Sequence, residues 1–385
     1  AGHGKEQVMA EHMAQPKDFG FGSDEQLVRD QARKFLTEHA PIQRTRELVA
    51  RDHESVYVNG ETPGYDREVF DQIVELGWPG LAVPESAGGV DMKLVAVTAI
   101  VEEIGRHAFP SPLLSTLHAT YVLRAAGGEA SAALLEKIAE GTTASLAITG
   151  ERGSWEPVDA PLVGEMDGQD LVIEGSAHFV QDAAKAEVFV ASVRVDEGVA
   201  LCAVPADAAG LQRRADQIVD LTRDQGRLHF ESVRVPADSI VAGPSEGLTA
   251  LDRAMPALLV LVSADLVGAS EWQLQTTTEY AKVRKQFDHT LGFFQAVKHP
   301  LVNAMLAIDQ ARSMLYNAAC SFDHEDLAAA DLAARMAKSS ASDAASFMSS
   351  RSVQLHGGIG FTWESDLHLY FKRNKHNQFL FGDGV

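Results

Sequence analysis

Two short stretches carry the most legible chemistry in this chain. They are Arg284-Lys285-Gln286-Phe287 and, seventy residues on, Gln354-Leu355-His356-Gly357-Gly358-Ile359-Gly360-Phe361-Thr362. The Arg284 guanidinium is planar and permanently charged, so it can hold a phosphate or pyrophosphate through two parallel hydrogen bonds. Glycines 357, 358 and 360 let backbone amides approach an anion or a base edge with no Cβ in the way, and successive amides of that kind form an anion-binding concavity. Each stretch also has a plainer reading: Arg284 as the partner of an acidic neighbour, and Gly-Gly-Ile-Gly as a turn. Occurring together, they favour an anion-binding role over either plainer reading.

Larger elements must position these residues. Over residues 23–139 apolar side chains recur at three and four, as in Leu27, Val28, Ala32, Phe35, Leu36 and again Phe70, Ile73, Val74, Leu76, which is the helical period. Gly77-Trp78-Pro79-Gly80-Leu81-Ala82-Val83-Pro84-Glu85 and Gly88-Gly89 interrupt it, either as a loop between helices or as a ligand-facing one. From about residue 145 the pattern becomes short β-branched runs, at 171–173, 188–193, 201–204 and 228–235. After Val241-Ala242-Gly243-Pro244 the helical period returns and persists through 328–348. The expected fold is therefore α+β and multidomain. It comprises an N-terminal helical domain (13–140), a β-sandwich or barrel domain (141–243) and a C-terminal four-helix-bundle domain (244–385). Residues 1–12 read as a vector-derived segment, since His12-Met13 is what a common cloning site encodes.

The 385 residues carry a formal net charge of -21, which repels phosphate backbones and anionic membranes and argues against nucleic acid as a partner. No apolar run approaches the roughly 20 residues of a bilayer span, so membrane insertion is not expected. Cys202 and Cys320 are too few for a disulfide framework or a zinc site, and a reducing cytoplasm is the expected location.

The order helical domain, β domain, helical bundle resembles the acyl-CoA dehydrogenase family, and the resemblance covers nearly the whole chain after Met13. Its motifs are similar to Gly77-Trp78-Pro79-Gly80-Leu81-Ala82-Val83-Pro84-Glu85, Glu102-Glu103-Ile104-Gly105-Arg106, Asp220-Leu221-Thr222-Arg223 and Val233-Arg234-Val235-Pro236. Most specific is Tyr280-Ala281-Lys282-Val283-Arg284-Lys285-Gln286-Phe287 followed by Phe294-Gln295-Ala296-Val297-Lys298-His299. The resemblance implies FAD as cofactor. Arg284, Phe287, Gln295, Gln354, Gly357, Gly358 and Gly360 would clamp its pyrophosphate and adenine across a subunit interface. Residues Thr149, Ser154, Phe179 and Gln181 fall where the family holds the flavin ring, but Phe179-Val180-Gln181 stands in place of a Trp-Ile-Thr or Trp-Ile-Ser segment.

The family's chemistry, α,β-desaturation of an acyl-CoA thioester, needs a carboxylate base near the α-carbon. Its two glutamate sites align here with Gly382 and with Leu258, twenty-six residues before Arg284. Neither takes a proton. Two nearby carboxylates, Asp383 and Asp265, are the remaining substitutes. An intact clamp beside a missing base resembles the non-catalytic chain of bacterial, steroid-side-chain-type heterotetramers. The implied partners are a homologous subunit carrying the glutamate in an α₂β₂ complex, an acyl-CoA and an electron-transfer flavoprotein. The alternatives are a self-sufficient homo-oligomeric dehydrogenase using Asp383 or Asp265, and a non-enzymatic binding protein on the same scaffold.

Overall fold

The computed structural model describes residues 19–49, 64–196 and 198–382. Among the described residues six helices come first: α1 (Ser23–His39), α2 (Ile42–Val49), α3 (Arg67–Glu75), α4 (Leu94–Arg106), α5 (Leu113–Ala126) and α6 (Gly128–Ala139). α3 shows why the local sequence folds. Its cap Asp66 accepts from the Val69 amide at 3.1 Å, and Val69, Phe70 and Ile73 form its buried stripe.

Eight strands follow among the described residues: β1 (Ala144–Ala147), β2 (Leu162–Asp167), β3 (Asp170–Gln181), β4 (Val188–Val195), β5 (Gly198–Pro205), β6 (Leu211–Ala215), β7 (Gln225–Val235) and β8 (Ile240–Ala242). They pair in the order β6-β7-β3-β2-β4-β5-β8, with β1 parallel to β4. The mixed sheet curls around one apolar core that includes Leu162, Ile173, Phe189, Val193, Leu228 and Phe230. Ladder irregularities between Ala177 and Val180 give β3 a bulge, and there Phe179 takes φ +57°, a conformation bulky side chains rarely adopt.

The last part holds α7 (Gly247–Val283), the hairpin β9 (Lys285–Gln286) and β10 (His289–Thr290), and then α8 (Gln295–His324), α9 (Leu327–His356) and α10 (Leu367–Phe379). α7 is the central post, its residues 254–270 buried on every side. α9 buries alanines at 330, 333, 334, 337, 341, 344 and 345, which lets neighbouring helices approach closely. Among the described residues no helix is long and apolar enough to cross a membrane.

Helix α4 crosses α7 at two glycines. A Cβ on Gly268 would overlap the Glu102 carbonyl, and one on Gly105 would overlap the Asp265 carbonyl. Gly268→Ala is therefore expected to force these backbones apart, destabilising the protein by roughly 1–3 kcal/mol. A thermal melt checks this; an unchanged midpoint would show that the crossing has room to spare.

Candidate functional site

The ends of three bundle helices meet at one corner. Near the C-terminus of α7, Tyr280 stacks on His356 at the C-terminus of α9, ring centroids 4.1 Å apart. Thr277 and Ser352, one turn earlier, share a 2.8 Å hydrogen bond. Arg284 follows Tyr280 by one turn, Gly357 follows His356 directly, and the Leu291 amide donates to the Arg284 carbonyl at 2.8 Å, bringing in the turn that leads to α8. Arg284, Gln295, Gln354, Gly357 and Gly358 are all exposed at this corner. No ion pair engages Arg284 among the described residues, so the plainer reading of it as a neighbour's partner finds no support.

The hairpin between β9 and β10 turns on two residues, Phe287 at φ +54° and Asp288 at φ +62°, the backbone of a type I′ turn. Aspartate tolerates that conformation; phenylalanine does not, and this one is 86% exposed. This strained, solvent-facing aromatic stands next to Arg284 and meets Phe294 edge-on at 6.3 Å.

The three glycines separate by role. Gly357 sits at φ +64°, which only glycine adopts freely, and a Cβ on Gly358 would meet nothing within 4 Å, so nothing in this chain requires glycine there. Gly360 is different: it is buried, and a Cβ would press on the Val353 carbonyl at 2.8 Å. Its glycine serves packing against α9. Residues 357–361 form a tight 3-10 turn.

A second site lies between the β domain and the bundle, where two cavities meet. One, about 1070 Å³, is lined by Trp155, Asp252, Met255, Leu259, Arg335 and Phe381 among others. The other, about 460 Å³, is lined by Phe179, Gln181, Ile218, Gln225, His376 and Phe379 among others. Thr149 is buried beside this region, its hydroxyl without a hydrogen-bond partner. The Ser154 hydroxyl is taken up by Asp159 at 2.6 Å. Gln181 is committed on both sides, its amide donating to Gln225 Oε1 at 3.1 Å while its Oε1 lies 2.7 Å from His376 Nε2. Burial, with Arg223 and Arg373 adding to it against Asp220, holds the His376 imidazole down at about 4, so this ring is neutral.

Neither aligned base position offers a proton acceptor. Leu258 is fully buried on α7. Gly382 sits at φ +108°, its carbonyl accepting from Lys338 Nζ at 3.1 Å. Asp265, an expected substitute, is corrected by the structure. Its carboxylate receives Arg373 Nε at 2.8 Å and Nη2 at 2.6 Å, Arg223 Nη2 at 2.7 Å and Asn377 Nδ2 at 2.7 Å. Burial alone would raise this carboxyl, but the two guanidinium groups and these hydrogen bonds overcome it and hold it below the ordinary range. It is a structural anion that ties α7 to α10 and to the Asp220-Leu221-Thr222-Arg223 segment of the β domain. Asp383 lies outside the described residues.

The profile of the acyl-CoA dehydrogenase N-terminal domain matches residues 22–142, and that of the acyl-CoA dehydrogenase C-terminal domain matches residues 245–384. The chain belongs to the acyl-CoA dehydrogenase family. Members of this family are FAD-dependent oxidoreductases. The chain is 30% identical to acyl-CoA dehydrogenase IpdE2 of Mycobacterium tuberculosis over 91% of its own length and 90% of that protein's. Among solved structures, a chain of a variant of the Tcur3481-Tcur3483 steroid ACAD superposes with TM-score 0.82 at 26% identity, covering 94% of this chain and 95% of that one. A chain of the ChsE4-ChsE5 complex of M. tuberculosis gives TM-score 0.84 at 24% identity, covering 95% of each, and shows the shared fold.

Three residues at or beside the second site carry no motif in the sequence: His118, Lys338 and His376. Only Lys338 left a signal, a cation on the alanine-rich buried face of α9.

Proposed function

We propose that this chain is the base-lacking half of an FAD-dependent acyl-CoA dehydrogenase that desaturates an acyl-CoA thioester, supplying the dinucleotide clamp to a homologous catalytic partner. The observation that carries this reading is a mismatch between two sites on one molecule. At the helix corner Arg284, Gly357 and Gly358 stand exposed, with Arg284 unpaired, as groups awaiting a pyrophosphate and an adenine would. FAD fits there. At the ring side, Ser154 and Gln181 spend their hydrogen bonds within the protein, and the places of the base hold Leu258 and Gly382. The base positions offer no proton acceptor, and of the ring-side hydrogen-bonding groups only the buried Thr149 hydroxyl stands uncommitted.

When bound, FAD supplies the hydride acceptor. This chain's own contribution is charge neutralisation by Arg284 and a Cβ-free approach at Gly358, with Phe287, Gln295 and Gln354 around them. The partner supplies the ring pocket and the glutamate. A general base is typically worth about 10²- to 10⁴-fold in rate, so this chain alone is expected to be nearly inert. The similarity to chains solved as paired assemblies, one described as a steroid ACAD, favours an α₂β₂ heterotetramer acting on a steroid side-chain thioester, with an electron-transfer flavoprotein as acceptor.

Co-expression with the sister chain tests this. Absorbance at the flavin band is expected to give one flavin per heterodimer in the pair and little on this chain alone; one flavin per subunit on the isolated chain would overturn the reading. In the pair, Arg284→Ala is expected to lower flavin retention on gel filtration while leaving the melting midpoint within a degree or two, because the residue is exposed. Unchanged flavin content would remove Arg284 from the clamp.

A further inference from the structure

Gly153, Trp155 and Gly382 line both cavities beside the β domain, so the two adjoin there. Between them Phe381 meets Trp155 edge-on at 5.0 Å and His118 edge-on at 4.9 Å. Only about 10 Å³ remains there, enclosed by His118, Trp155, Phe179, Phe381 and their neighbours, too little to seat more than a single water. Phe381 is 8% exposed and takes φ +59°, so its backbone is strained in order to put the ring there.

Something must hold that strained turn. Lys338 Nζ donates to the Gln378 carbonyl at 2.8 Å and the Gly382 carbonyl at 3.1 Å, with the Ser342 hydroxyl at 3.4 Å. The ammonium thus bridges the end of α10 and the turn beyond Phe381 from its buried place on α9. Because both acceptors are main-chain carbonyls, the latch works whatever side chain stands at 382.

We infer that Trp155 and Phe381, latched by Lys338, form an aromatic partition that excludes a flavin ring from this chain's own site. The partition explains, in terms of volume rather than lost hydrogen bonds, why the larger cavity persists without serving desaturation: a thioester lying in it faces Trp155 and Phe381, not a ring. It rests on the half-site reading, since it describes how the second flavin place of each heterodimer is closed. Phe381 and Trp155 are then specificity-determining residues, and Lys338 is a positioning residue that acts through the carbonyls of 378 and 382.

The probe is lumiflavin, the isoalloxazine ring without the dinucleotide, titrated by fluorescence quenching into the purified chain. The unmodified chain is expected to bind it weakly. Phe381→Ala and Trp155→Ala should each tighten binding about tenfold, the scale set by removing one side of an aromatic pair together with the space it filled. Lys338→Met, which frees the turn without opening the cavity, should give a smaller gain in the same direction. Trp155 is only half-buried, so that variant keeps the test alive if Phe381→Ala does not fold. Unchanged binding in variants that still melt cooperatively would overturn the partition and leave the half-site reading standing. Stoichiometric FAD on the unmodified chain would overturn both.

Discussion

Asp265→Asn is expected to cost about 3–5 kcal/mol of unfolding free energy, the loss seen when one member of a buried ion pair is removed and its partners stay charged. The carboxylate is fully buried and takes hydrogen bonds from Arg373, Arg223 and Asn377. Asparagine keeps the shape and one acceptor but leaves two guanidinium groups facing each other without an anion. Denaturant unfolding checks this through the midpoint, and a double-mutant cycle with Arg373→Met should recover part of the loss, because that change removes one of the stranded charges. A loss under about 1 kcal/mol would mean that the cluster is solvated in solution. The pH sign follows from the lowered carboxyl. Its contribution is complete above the ordinary aspartate value of about 3.9 and is lost only as pH falls below that toward the folded value.

A second large effect appears at milder acidity. Burial holds His118 at about 3 and His376 at about 4, whereas both titrate near 6.5 once unfolded. Their folded values are lowered, so the unfolded chain binds the extra protons, and stability is full above about 6.5 and falls as pH drops below it. Between pH 6.5 and 5 the two together should remove about 3 kcal/mol. Asp224, raised by burial to about 6, works the other way and restores about 1 kcal/mol over the same interval. The net expectation is a loss of about 2 kcal/mol by pH 5, read from denaturant midpoints across that range. His376→Gln should flatten the profile, since glutamine can keep a hydrogen bond to Gln181 but takes up no proton. A profile that stays flat in the unmodified protein would show that these imidazoles are reached by water.

The sequence by itself determined the order of the three parts and which residues are candidates for the proposed clamp. Helical period, strand alternation and turn residues are properties of neighbours within a few positions, and α1 through α10 and the strands of the β domain follow them. Arg284 and the Gly357-Gly358 pair were legible for the same reason, as local motifs whose residue types already state their chemistry. Only the tertiary structure decided what the remaining polar residues do. Asp265 looked like a spare carboxylate near Leu258, but its partners Arg223 and Arg373 come from 42 and 108 positions away. Gly360 and Gly358 are indistinguishable in a Gly-Gly-x-Gly string, yet one is a packing contact and the other faces open space. The closure of the ring site needs Trp155 from the β domain, Lys338 from α9 and Phe381 from the turn after α10 to meet in one place. Local periodicity places each of them on its element, but which atoms then touch depends on how separate elements pack, and no short-range pattern encodes that.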